Sequence, residues 1–220
     1  MPLQRETVVR AALRLLDEGG LDGLTVRRLA GTLGVQNPAL YWHFKNKQDL
    51  LDQMAEAMLA DAFAVWGPPA PGAPGADCLA ALARTLRRAL LSHRDGVRVL
   101  AGADLTGSAI LTALDRALHA LRAAGFPSGV ALVGALAVVN YTLGAAFEEQ
   151  AEPRYPASDG GPARPKPLRA AIDPDRLPAL AAALADVARD APEAGHDPAA
   201  GFEGGLQLIL AGMRAALSHG

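Results

Sequence analysis

The chain is poor in cysteine, in aromatics and in net charge. One cysteine among 220 residues, Cys78, can neither close an internal disulfide nor supply a cysteine-based zinc site. Nothing argues for an oxidising compartment, so the reducing cytoplasm is expected. The opening MPLQRETVVR lacks the cationic segment and apolar run of an export signal. No Gly-rich phosphate loop and no metal-spaced His/Asp/Glu cluster occurs, so neither a cofactor nor a metal is expected. Ser92, His93 and Asp95 have the composition of a hydrolytic triad. Residues so close near a helix end diverge, however, and cannot line up as nucleophile, base and orienter. Aromatics make up only 5% of the residues and the net charge is −2, which by itself speaks against a nucleic-acid partner.

That average hides two regions. Residues 1–48 carry seven basic side chains against four acidic ones, a net of +3, which leaves −5 for the remainder. Residues 23–48 contain no Asp or Glu, and three of the ten aromatics, Tyr41, Trp42 and Phe44, fall there within four positions. The first fifth of the chain is a chemically separate surface.

What is present in quantity is helical periodicity. Half of the residues are hydrophobic, and no useful strand alternation appears, so the chain reads as all-α, with a large enough apolar share for a substantial core. Val9, Ala12, Leu13 and Leu16 define a first helix ending at Gly19-Gly20. Thr25 caps a second, ended by Gly34, and Asn37-Pro38 opens a third, with Asn37 able to cap. Two short helices across a glycine-containing turn make a helix-turn-helix. A longer helix is expected from about Lys47 to Val65, then a connecting loop, GPPAPGAPGA. Further stripes follow at Leu79, Leu82, Leu86 and Leu90; at Leu111, Leu114, Leu118 and Leu121; at Leu177, Leu180, Leu184 and Val187; and from Phe202 to Leu217. Residues 153–178, with seven prolines, read as a mobile surface loop. Residues 129–147 are uncharged over a membrane-span length. Being rich in Ala and Gly, with Asn140, Tyr141 and Thr142 near the end, they are expected in a core or between subunits rather than in a membrane. The expected domains are 1–47, which holds the helix-turn-helix, and 48–220, the larger helical body.

On the third helix Leu40 and Phe44 share one face and should pack inward, which turns Trp42 outward. Asn37 can pair with an adenine edge, and Pro38 or Ala39 can touch a thymine methyl. Tyr41, Trp42 and His43 are placed for phosphates, with Thr25, Arg27 and Lys47 clamping the backbone from either side. The alternative is an ordinary aromatic core beside a solvated basic face, which fits Leu40 and Phe44 but not Trp42.

The stretch LDEGGLDGLTVRRLAGTLGVQNPALYWHFKNKQDLLDQMAEAML resembles the DNA-binding region of tetracycline-repressor (TetR) family regulators, whose signature is LYxHFxxKxxLL. ALLSHRDGVRVLAG, the turn AAGF, YTLGAAFEEQ and GLQLILAGM are similar to the C-terminal domain of the tetracycline repressors. The resemblance implies a homodimer in which residues 1–47 bind pseudo-palindromic operator DNA and residues 48–220 bind ligand and dimerise through segment 128–150 and the final helix. It also implies release by a small-molecule effector, with the turn from Val97 to Asp104 as the relay between the core and the DNA-side helices. It also implies departures. Ala64 and Leu100 stand where histidines would hold a magnesium-drug chelate. Leu82, Leu86, Asp104 and Leu105 stand where Asn, Phe, Arg and Pro are expected, and Glu148-Glu149 reads as a solvated helix end. Tetracycline is therefore not the expected inducer. A pocket of Leu82, Leu86, Leu100, Leu105, Leu114, Leu118 and Val138, with Asp104 and Asn140 as orienting groups, would take a mostly apolar molecule. By periodicity alone the same leucines read as plain core, and only the resemblance makes them a pocket; as core they would leave an effector-independent DNA-binding protein.

Overall fold

The computed structural model describes residues 3–66, 75–104, 109–151, 172–190 and 197–217. Helices α1 (Arg5–Gly23), α2 (Val26–Leu33), α3 (Asn37–Leu40) and α4 (Lys47–Ala64) are followed by α5 (Gly75–Leu91), α6 (Gly96–Ala101) and α7 (Ala109–Ala123). The chain continues with α8 (Ser128–Gln150), α9 (Pro178–Asp190) and α10 (Pro198–Leu217), and no strand occurs among the described residues.

α1 buries the expected stripe, but it does not stop at Gly19-Gly20. Gly20 takes φ 67 and ψ −179, kinks the helix, and the helical trace resumes to Gly23. In α2, the Thr25 hydroxyl accepts from the Arg28 amide at 3.2 Å, and Gly34 closes the helix in the left-handed region. α3 is a single turn. Gln36, not Asn37, occupies the N-cap, with no side-chain cap bond, so Asn37 is the first helical residue. Asn46 caps α4 by accepting from the Asp49 amide at 2.9 Å.

The chain divides into two compact units, Met1–Gln150 with Ile209–Gly220, and Ala151–Leu208. In the first, α5 packs against α4, α6, α7 and α8, while α1 packs on α2 and α4. Leu79, Leu82, Leu86 and Leu90 are all buried. Three expectations need correction. Gly75 and Ala76, assigned to the connecting loop, begin α5; the rest of that loop from 68 to 74, with Gly67, lies outside the described residues. The turn expected at Val97 to Asp104 contains α6. On α7 the buried face is Ile110, Ala113, Ala117 and Leu121, leaving Leu111 exposed and Leu114 and Leu118 only half-buried. Small alanines let α7 lie close to its neighbours, a choice that leucine periodicity does not reveal.

α8 is long and apolar enough to cross a membrane by length and composition. Here it buries one face, Ala131, Ala135, Val138, Thr142 and Ala146. Val130, Leu132, Val133, Leu136 and Phe147 are exposed, Val133 to 69%. Gly134 leaves room for Met213, since a Cβ there would run into that side chain. In the second unit, α9 leaves Leu180 and Val187 exposed, with Leu177 exposed just before it, whereas Phe202 and Leu206 are buried. Most of the Pro-rich segment lies outside the described residues; its end forms a turn in which the Leu177 amide donates to the Asp173 carbonyl at 2.9 Å.

Candidate nucleic-acid interface

Leu40 and Phe44 are 0% and 2% exposed, whereas Trp42 between them is 87% exposed. The chain leaves α3 through a tight turn, with the His43 and Phe44 amides donating to the Leu40 carbonyl. Tyr41 leans on Phe44, ring centroids 5.8 Å apart, and remains half exposed. Asn37, Pro38, Thr25, Arg27 and Lys47 are exposed; Ala39 and His43 are half-buried. This turn is fastened to α4 through Asp49, which accepts from the Lys45 amide at 2.7 Å and from Gln53 at 2.8 Å. Those two bonds, the Lys45 amide foremost, hold the Asp49 carboxyl below its ordinary value.

All four acids of the first 48 residues are occupied in pairs. Glu6 meets Arg10, Glu18 meets Arg28, Asp17 meets His93 and Asp22 meets Arg98. Arg10 also grips Asp61 on α4 with both guanidinium nitrogens, one of them at 2.8 Å, and this lowers the Asp61 carboxyl. Thus Arg27, Lys45 and Lys47 face solvent with their charge uncompensated by these acids.

A relay is expected at Val97 to Asp104, but the side-chain bonds that join α1 to the approach to α6 were not foreseen in the sequence. Asp95 has φ 57, the single non-glycine residue in the left-handed region among those described. It does not cap α6; its carboxylate accepts from the Leu21 amide at 2.7 Å, just after the Gly20 kink. Reciprocally, Asp17 on α1 accepts from the Arg94 amide at 3.1 Å and faces the His93 Nδ1 at 3.0 Å. His93 is therefore paired with Asp17. The dipeptide Asp95-Gly96 was the available signal. Gln150 locks the same joint, donating to the Leu90 and His93 carbonyls at 2.8 Å each and accepting from the Val97 amide at 3.0 Å.

The expected effector set does not come together as a whole. Leu82, Leu86, Leu100 and Val138 are buried, on α5, α6 and α8, which pack on one another. Asn140 is exposed, because its helical position turns it off the buried face of α8. Asp104 is also exposed, its amide donating to Asp52 on α4 at 3.0 Å after α6 ends at Gly102. Leu105 lies outside the described residues. Leu118 instead lines a hollow of about 290 Å³ with Asp115, His119, Arg122, Ala131 and Leu132. Glu149 is not a solvated helix end, being bridged by Arg87 at 2.7 Å and 2.9 Å. Among the described residues no group of three or more His, Cys, Asp or Glu side chains could hold a metal ion.

A short helix-turn-helix with an outward aromatic and exposed cations, set on a larger helical body, defines a DNA-binding regulator. Residues 8–54 match the model for bacterial regulatory proteins of the tetR family, and residues 68–217 the model for the tetracyclin repressor-like C-terminal domain. The chain is 44% identical over 215 residues to the class A tetracycline repressor protein from transposon 1721 of Escherichia coli, covering 96% of this chain and 90% of the relative. A possible TetR family transcriptional regulator from Streptomyces coelicolor A3(2) superposes with a TM-score of 0.79 at 42% identity, covering 97% and 100% of the two chains. A TetR variant from Acinetobacter baumannii AYE in complex with minocycline gives a TM-score of 0.70 at 33% identity, covering 97% and 98%. The chain belongs to the TetR family of transcriptional regulators. Its relatives are regulators rather than enzymes, and the family acts as dimers on operator DNA under the control of small-molecule effectors.

Proposed function

We propose that this protein is a cytoplasmic homodimeric repressor that leaves a pseudo-palindromic operator when a mostly apolar molecule, other than magnesium-tetracycline, enters the core of its second domain. Residues 1–47 form the reading domain and 48–220 the ligand-binding and dimerisation domain. Asn37, Pro38 and Ala39 address base edges; Tyr41, Trp42, His43, Thr25, Arg27 and Lys47 address the backbone. The carrying observation is Trp42, 87% exposed beside a buried Leu40 and Phe44. A large ring so presented stays hydrated and forfeits the free energy of burial unless a partner covers it.

The exposed face of α8, with Val133 and Leu136, is the dimer surface in this reading, together with the last helix. The effector core is Leu82, Leu86, Leu100, Leu105, Leu114, Leu118 and Val138, and Leu100 in place of a metal-binding imidazole supports a mostly apolar ligand that brings no metal chelate. With Asp104 and Asn140 exposed, the orienting role assigned to them requires a rearranged bound form. Occupancy reaches the DNA through α6: the Asp95–Leu21 and Asp17–Arg94 bonds tie α6 and its approach to α1. The ligand acts only by its differential affinity for forms whose recognition helices are, or are not, about 34–36 Å apart.

A second reading, an effector-independent regulator, is favoured by the tight burial of Leu82, Leu86, Leu100 and Val138, at most 4% exposed. Operator binding with and without a candidate inducer separates the two. Release in the wild type that is abolished in Leu100→Trp supports the effector core; equal release in both rejects that assignment.

A further inference from the structure

α2 presents two consecutive arginines, and the structure treats them differently. The Arg27 side chain is exposed and makes no ion pair or hydrogen bond with a described residue. Arg28 folds back across the α1–α2 corner, where its Nη2 donates to the Glu18 carboxylate at 2.9 Å. Its seat is made of glycine. A Cβ at Gly19 would lie 2.5 Å from the Arg28 Nη1, and one at Gly23 would lie 3.3 Å from it. Both glycines sit in the helical trace of α1, where glycine is otherwise unfavourable, and both stand beside this one guanidinium. The Arg28 backbone is fixed too, its amide on Thr25 and its carbonyl accepting from the Thr32 hydroxyl at 3.0 Å.

We propose that Glu18, with the glycine seat at 19 and 23, holds Arg28 off the operator as a positioning residue. Of the paired arginines, only Arg27 then releases phosphate counterions, and Glu18 sets the strength of operator binding and its salt dependence. The inference rests on the assignment of α2 and α3 to DNA. A cation already neutralised by a carboxylate contributes little to counterion release, whereas each cation that reaches a phosphate adds about 0.9 to the slope of log affinity against log salt. Glu18 and Arg28 are both well exposed, with side chains at 60% and 43%, so the restraint is weak enough to be overcome by one substitution.

The test is operator binding by the full-length protein over a range of potassium chloride concentrations, against an unrelated duplex of equal length, with thermal unfolding of each variant as the control for folding. Glu18→Gln is expected to tighten binding about threefold to fivefold per reading head and to steepen the slope by about 0.9 per head. Gly19→Ala, which crowds the guanidinium from its seat while Glu18 remains, is expected to act in the same direction. Arg28→Ala should keep the wild-type slope, and adding it to Glu18→Gln should restore that slope. A flattened slope in Arg28→Ala, like that expected of Arg27→Ala, overturns the proposal, as does an unchanged slope in Glu18→Gln. Wild-type slopes in Arg27→Ala and Lys47→Ala as well would overturn the interface assignment along with it.

Discussion

Trp42 gains nothing from the fold that carries it. A ring 87% exposed costs solubility and contributes no packing, while its neighbours Leu40 and Phe44 lock the turn. Around it, the residues assigned to bases and those assigned to phosphates should separate by experiment. Asn37→Ala is expected to relax preference at one operator position by about 1–3 kcal/mol while leaving non-specific binding intact. Lys47→Ala should weaken all duplexes alike and flatten the salt slope by about 0.9 per head. Fluorescence anisotropy on the operator and on single-base variants checks both. Asp49 fastens this turn to α4, and its depressed carboxyl fixes the sign of a pH effect. A carboxylate held below its ordinary 3.8 adds stability above that value and loses it as the pH falls through its lower folded value. Asp49→Asn should therefore be less stable than the wild type near neutrality, and the gap should close on acidification below about pH 4. A gap that persists unchanged in acid would mean that the Lys45 and Gln53 contacts are not what stabilises the turn.

At the scale of elements, capping chemistry and apolar spacing made the reading head legible. Thr25 and Gly34 bound α2 because a hydroxyl acceptor and a left-handed glycine act locally. The buried pair Leu40 and Phe44 agrees with their spacing of four, although α3 ends at Leu40 and the turn that follows, rather than a continued helix, seats Phe44. α7 was legible as a helix but not in orientation, because four leucines outweighed Ala113 and Ala117, the residues that its packing uses. α6 was missed altogether. Six residues carry too little periodicity, and what fixes it is distant in sequence: Gln150, at the end of α8, bonds three backbone groups around its start. Gln150→Ala would strip partners from partly buried carbonyls and an amide, for an expected cost of about 2 kcal/mol, or roughly 4–8 °C in melting temperature for a chain of this size. Because α6 also carries the Asp95 contact to the Leu21 amide, the same variant should respond less to effector than its loss of stability explains. Operator binding titrated with inducer, at a temperature where the variant is fully folded, measures that difference.

For the whole molecule, the charge split and the bare face of α8 answer one another. A head of +3 and a remainder of −5 orient a dimer when both heads face the same way. The exposed stripe through Val133 and Leu136 is apolar, and in the proposed dimer a carboxylate there would become buried and unpartnered. Val133→Asp, on the exposed side of α8, should leave the single chain folded yet shift sedimentation to the monomer and cost most of the operator affinity, since one half-site holds weakly. A variant that stays dimeric would place the interface elsewhere. The effector prediction depends on that assembly and on one chemical fact. Magnesium requires oxygen ligands or an occasional imidazole, and this chain offers Leu100, 4% exposed, and Ala64 where the resemblance implies histidines. Magnesium with tetracycline should therefore leave the operator complex intact at concentrations that release a tetracycline repressor assayed beside it. If it dissociates the complex, a chelate site exists that neither Leu100 nor Ala64 supplies, and the apolar effector reading fails with it.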